Sequence, residues 1–281
     1  MPAEKKPFRF AFINAFTTPA QKAKQPKEKT LQNYDNIKHL LEDVEWDAYP
    51  GGDVTYGDWP VETREELLYA AAARLPVVRK ACETGKYNAV ILLGGADPGF
   101  LEAREIAHKY HIALTSCGHA SYNMACVLGH KFSVIYLPGA GLPKMHQIVS
   151  TYYLGERCAS IRHLSIHLPR PGYDDAVVLE EEKQKALAGK RSEAVERAVV
   201  EAVDAIENDG ADVITFGCSG LYWLTPFLQK RLDDLKWDVP VLDGYTCAIL
   251  QAKSLVALGR DCSGLTWPPD RPEKLRRRKL Y

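Results

Sequence analysis

An α/β fold with parallel sheets is predicted by two features of the 281-residue sequence. Apolar, β-branched runs recur along the chain, and each leads through a small-residue turn toward a helical pattern. Strands buried on both faces and joined by helices have that form. The second feature is an internal similarity. When Asn88–Phe100 (NAVILLGGADPGF) is set over Asp212–Leu224 (DVITFGCSGLYWL), both begin with a polar residue, run through apolar or β-branched positions and reach a Gly-rich turn. Two such halves would present their turns to one another across a cleft, at the carboxyl ends of strands, where open α/β sheets bind ligands. In this register Cys218 falls opposite Gly94.

Element by element, the first strand is expected over 8–14 (FRFAFIN), where aromatic and aliphatic residues follow a charged N-terminus. Further strands are expected over 87–94, 111–117, 131–137, 160–168, 210–217 and 238–244, each rich in Val, Ile, Leu or aromatic residues. Helical periodicity places helices over 60–84, 101–110, 120–129, 193–209 and 246–258, with another beginning at Leu31. The polar, basic 21–30 stretch reads as a surface loop, and 49–60 (YPGGDVTYGDWP) as a Gly/Pro-rich loop of the kind that covers a site. Residues 1–122 with 245–281 are expected to form one lobe, and 123–244 the other.

Bulk composition narrows the function. Lys plus Arg and Asp plus Glu balance at 36 each, so no global field attracts nucleic acid or anionic lipid. The basic tail RPEKLRRRKLY reads as a solvated end, since no aromatic residues interleave with its charges. No apolar run approaches the roughly 20 residues of a membrane span, and the N-terminus lacks the apolar centre of a secretory leader. The seven cysteines are an odd number without a C-x-x-C pair, which points to reduced thiols in a cytoplasmic protein. His163 and His167 lack an acidic or cysteine ligand nearby, and no zinc pattern exists, so no metal is expected. A P-loop and a G-x-S-x-G elbow are also absent.

The chemistry concentrates at the turns. Cys218 stands where helix N-terminal N–H groups could lower a thiol pKa, and the same groups could hold a carboxylate or enolate oxygen. A small buried hydrophobe is the alternative reading of that thiol. Asn14, Thr17 and Thr18 lie just past the first strand and could bind a carboxylate or cap a turn. Cys117 and His119 follow the third strand, with Tyr122 one helical turn on; His119 could act as acid or base, or be a structural histidine.

Three stretches in order, FINAFTT, AVILLGGADPGFLEAREIA, and GADVITFGCSGL followed by VPVLDGYTCAILQA, resemble the Asp/Glu/hydantoin racemase superfamily. The resemblance implies two Rossmann-like lobes related by pseudo-twofold symmetry, an active site in the cleft between them, no cofactor and often a homo-oligomer. In such racemases two cysteines face each other across the substrate carbon. Cys218 matches the second, and its neighbours Ser219 and Gly220 match the anion-binding turn; Asn14, Thr17 and Thr18 match the opening motif that binds substrate oxygens. The first cysteine of the pattern falls on Gly94, and Gly94 with Gly95 would leave room for a bulky substituent or a carboxylate. In this respect the chain is similar to arylmalonate decarboxylases, in which one thiol protonates a carbanion left by loss of carbon dioxide. The expectation is a racemase or isomerase acting on a small carboxylate or hydantoin-like substrate. A single-thiol decarboxylase and a non-catalytic carboxylate binder are the alternatives. Cys117 and His119 are the candidates for a second acid or base.

Overall fold

The structure, a computed structural model, describes residues 7–18, 27–53, 57–137, 141–168, 170–172 and 178–268. The basic tail and much of the 21–30 stretch lie outside the described residues. Among the described residues, eight strands form two four-stranded parallel sheets. The first contains β1 (Phe8–Ile13), β2 (Val44–Tyr49), β3 (Ala89–Leu92) and β4 (Ala113–Ser116), in the spatial order β2-β1-β3-β4. The second contains β5 (Phe132–Tyr136), β6 (Cys158–His163), β7 (Val213–Phe216) and β8 (Val241–Leu242), in the order β6-β5-β7-β8. The helices are α1 (Tyr34–Ile37), α2 (Arg64–Glu83), α3 (Phe100–Lys109), α4 (Cys117–Leu128), α5 (Gly141–Thr151), α6 (Leu179–Leu187), α7 (Glu193–Asp209), α8 (Thr225–Asp234) and α9 (Gly244–Leu258).

The two halves repeat one connectivity, so β3 and β7 hold the same place in their sheets, as the alignment of Asn88 with Asp212 requires. The two polar residues that open this alignment also do the same job. Asn88 Oδ1 accepts the Arg9 N–H at the foot of β1, at 2.9 Å. Asp212 accepts the His130 and Lys131 N–H groups before β5, at 2.7 and 2.8 Å. Each brings its own strand into register with the central strand beside it. Phe10, Ala11, Phe12 and Ile13 are fully buried, as are the four residues of β3, which explains why these strands read as continuous apolar runs.

β2 was not expected. Its sequence VEWDAY alternates, with Val44 and Trp46 buried and Glu45 and Asp47 outward, the pattern of an edge strand buried on one face. α5 and α6 also stand where no helix was read, while α8 follows the Cys218 turn, where a helix was expected. Leu31 precedes only the short α1 and flanking 3-10 turns rather than a long helix. α7 falls on the expected 193–209 span, capped by the Ser192 hydroxyl, and it ends at Gly210 in the left-handed region with φ 73°.

The helices that follow the two edge strands cross over. α4 follows β4 of the first sheet but packs on α9 and on β7 of the second. α9 follows β8 of the second sheet and packs on β4 and β3 of the first. This exchange brings the carboxyl ends of the two sheets together. Seated against Gly217 and Cys218 is Gly95, where a Cβ would lie 2.4 Å from the Gly217 carbonyl oxygen. Only a residue without a side chain allows the two turns to approach so closely.

Candidate active site

At the carboxyl ends of the strands lies a cavity of about 570 Å³. One wall comes from the turn after β1, with Asn14, Ala15 and Thr17, and from Leu93 and Gly94 after β3. Pro50, Gly51 and Asp53, after β2, form its side. Ser219 and Tyr245 reach in from the ends of β7 and β8, so the cavity draws on both halves of the chain. Thr17 is locked in place. Its hydroxyl donates to the Gly51 carbonyl at 3.1 Å, and its N–H donates to the Gly52 carbonyl at 2.9 Å. The hydroxyl keeps its lone pairs for a ligand. Ser219 hydrogen-bonds the Tyr245 phenol, which joins the turn after β7 to the first turn of α9.

Cys218 is the residue from which the 3-10 turn Ser219–Leu224 springs, with extended backbone angles (φ −134°, ψ 132°). Its side chain is half-buried, and burial pushes the thiol up to about 11. The Gly220 N–H, hydrogen-bonded to the sulfur, pulls in the opposite direction without winning. The lowering anticipated from an N-terminal turn is therefore outweighed by desolvation. At neutral pH Cys218 is a thiol: ready to give a proton, and needing help to take one.

Across the contact stands the β3 turn. Gly94 has φ 106°, a conformation side-chain-bearing residues rarely adopt, and a Cβ there would lie 3.0 Å from the Ala15 Cβ. No thiol could occupy this place without a change in the turn.

The other residues singled out in the sequence have different surroundings. Cys117 begins α4 and is fully buried behind the turn. It donates to the Leu92 carbonyl at 3.3 Å, and its sulfur accepts the Gly94 N–H. Burial raises its pKa well above the ordinary thiol value. His119 packs between Phe100 and Tyr152, with ring centroids 4.8 and 5.0 Å away, and its side chain hydrogen-bonds Gln251. Burial, aided by the Arg104 charge, lowers it to about 4, so this imidazole is neutral. Tyr122 is buried and stacked on Phe132 at 5.3 Å. Thr18 is buried beside the β1 turn. Of the sequence candidates, Asn14, Thr17, Gly94 and Ser219 line the cavity; Cys218, Gly220 and Gly95 form the turns against it; Cys117, His119, Tyr122 and Thr18 stand behind or away from it.

Sequence reasoning missed several residues. Lys27, Lys29 and Thr30 line the cavity from a stretch read only as polar loop. Tyr245 lies at a strand end, where the carboxyl-end rule could have found it. Arg74 is fully buried on α2, within a stripe of buried positions 67, 70, 74, 78 and 81. A charged residue inside such a stripe was the available signal. Asp97, also buried, accepts the Gly118 and His119 N–H groups at 2.8 and 2.6 Å, the Ser116 hydroxyl, and the Tyr152 hydroxyl at 2.9 Å. It thereby ties the β3 turn to the N-terminus of α4. Among the described residues, His108, Asp261 and Cys262 bring potential metal-ligand atoms within 4.8 Å of each other, but none of the three lines this cavity. There His108 Nδ1 and Asp261 are already hydrogen-bonded at 2.5 Å.

Comparison with known proteins gives this geometry a context. A hydantoin racemase of Rhizobium meliloti is 32% identical over 164 residues, which make up 58% of this chain and 58% of that enzyme. A hydantoin racemase of Pseudomonas sp. (strain NS671) is 27% identical over 188 residues, 67% of this chain and 66% of that one. Among solved structures, allantoin racemase from Klebsiella pneumoniae superposes with a TM-score of 0.69 at 23% identity, covering 96% of both chains. Arylmalonate decarboxylase shares the fold more distantly, with a TM-score of 0.54 at 15% identity over 88% of this chain and 92% of that one. The family model described as Asp/Glu/Hydantoin racemase matches residues 60–252, and with most of its length inside that match the chain belongs to this family.

Proposed function

We propose that the protein is a cofactor-independent racemase or isomerase that forms and reprotonates a carbanion next to a carbonyl or carboxylate of a small hydantoin- or amino-acid-like substrate. The observation that carries this reading is that Ser219, the residue after Cys218, lines the same cavity as Asn14, Thr17 and Gly94, with Gly95 seated against the Cys218 main chain. Cys218 is the acid/base. Asn14, Thr17 and Ser219, with the Ala15 N–H, hold the substrate oxygens on which charge develops, and such donors stabilise an enolate where water is excluded. Lys27 and Lys29 at the rim favour an anionic or oxygen-rich substrate. Reversible proton removal needs a second group on the other face. The cavity offers Asp53, after β2 of the other sheet, for this, whereas Cys117 and His119 do not line it.

One specific observation favours a second reading. Gly94 stands where a thiol would be needed for two-cysteine chemistry, and Cys218 is held as a thiol. A decarboxylase of malonate-type acids needs only that: loss of carbon dioxide leaves an enediolate without any base, and one thiol protonates it.

Proton NMR in D2O separates the two, with aspartate, glutamate, 5-substituted hydantoins and disubstituted malonates as the panel. Deuterium appearing at the α-carbon of an intact substrate supports the isomerase. Release of carbon dioxide with deuterium in the product replaces it with the decarboxylase. Cys218→Ala should lower either rate by about 10²–10⁴-fold, the range for loss of a positioned acid/base. If Cys218→Ala keeps full activity, Cys218 has no part in the reaction.

A further inference from the structure

Arg74 is fully buried, and its hydrogen bonds go to main-chain carbonyls rather than to a carboxylate. Nε donates to Asn14 O at 2.9 Å, Nη1 to Pro98 O at 3.0 Å, and Nη2 to Ile13 O at 2.8 Å and to Leu93 O. A cation placed in the core is costly, and an apolar side chain of similar volume often serves stability as well or better. The arrangement is therefore better explained by what it orients. Its acceptors sit at the end of β1, at the end of β3 and in the turn beyond Gly94; the first two of these segments form one wall of the cavity.

The peptide bond transmits this orientation. In a trans peptide the carbonyl and the following N–H point in opposite directions. With the Asn14 carbonyl turned toward Arg74, the Ala15 N–H is turned away from it. Ala15 lines the cavity, and among the described residues its N–H has no acceptor. The Leu93 carbonyl is held in the same way, which fixes the peptide entering Gly94. The planar guanidinium can serve these diverging acceptors together; an ammonium, with its compact charge, cannot match them.

We propose that Arg74 is a positioning residue for the reaction at Cys218, fixing the peptide planes of Asn14 and Leu93 so that the first-lobe wall stands at a set distance from the thiol. This rests on the reading of the cavity as a reaction site. Arg74 touches no substrate and acts through the main chain in front of it.

The test uses Arg74→Ala, Arg74→Lys and Arg74→Met in the full chain, followed by isotope exchange or carbon dioxide release on the panel above. In each variant kcat should fall by about 100-fold, the effect of a misplacement of about 1 Å in the reacting geometry. KM should change less than kcat. Millimolar guanidinium should restore part of the Arg74→Ala rate in a saturable way, and potassium chloride of equal ionic strength should not. A folded Arg74→Ala variant with the wild-type kcat, or with a loss that guanidinium leaves untouched, overturns the proposal. If all three variants fail to fold, amide exchange of the wild type decides. Saturating substrate must slow exchange in segments 13–16 and 93–98, and unchanged exchange there overturns it. A wild type inactive toward the whole panel overturns the reaction reading and this proposal together, whereas an Arg74→Ala variant with the wild-type kcat overturns this proposal alone.

Discussion

Cys218 combines two opposing influences, and their balance is measurable. Burial holds the proton on sulfur with a pKa of about 11, against one N–H from Gly220. Because the thiolate is the reactive form, iodoacetamide should modify Cys218 slowly at neutral pH, with the rate rising up to about pH 11, as followed by mass spectrometry of the 211–224 region. A plateau near neutral pH would show that the resting enzyme keeps a thiolate. Gly94 makes a second prediction at this scale. Gly94→Ala must force a side-chain residue into φ 106° and against the Ala15 Cβ, at a cost of about 1–3 kcal/mol in a denaturant midpoint. The place of Cys218, at the end of β7 where a turn begins, was legible because a thiol at a strand end between glycines is a local pattern. The displacement of Cys117 and His119 from the cavity was not. Both follow a strand end in sequence, but the helix that begins at Cys117 turns the first thiol behind the Gly94 turn and the imidazole outward onto Phe100.

Among the elements, the N-terminus of α2 has an additional role. Thr63 and Glu66 form a capping box, and Arg170, from the segment after β6, reaches Glu62 and Glu66 at 3.1 Å each. This joins the second half of the chain to a helix of the first. Burial alone would raise the pKa of Glu66, but the Glu62 and Thr63 N–H groups and Arg170 outweigh it and bring it from 4.5 to about 2. A carboxylate depressed in the folded state adds stability above its unfolded value, and that stability is lost as pH falls from 4.5 toward 2. Glu66→Gln should therefore flatten the fall of the thermal midpoint over that window, and Arg170→Ala should shift the fall to higher pH. An acid limb unchanged in both variants would remove this contact from the balance. Elements were legible where hydrophobic pattern and burial agree, as in β3, β7 and α7. They were hidden where one face is wet: β2 hides Val44 and Trp46 between acids, and α6 opens on three consecutive glutamates. Arg170 meeting Glu66 across more than a hundred residues leaves no local trace at all.

For the molecule as a whole, the family resemblance gave the two lobes and their order, and the repeated β2-β1-β3-β4 and β6-β5-β7-β8 arrangement makes the twofold relation plain. What the alignment of the two turns could not supply is the distance between them, which depends on Gly95 lying against Gly217 and on helices from distant parts of the chain. The exchange of α4 and α9 has a further consequence, for a chain cut in two. A fragment ending after α4 would carry a helix meant for β7 and lack the α9 that covers β4; the complementary fragment would have the opposite defect. Neither should fold alone, since each would leave an apolar sheet face open to water. Mixed in equal amounts they should complement one another, as two pieces each holding the other's lid. Circular dichroism of a chain severed near Gly129, first as separate fragments and then combined, would show native structure returning only in the mixture.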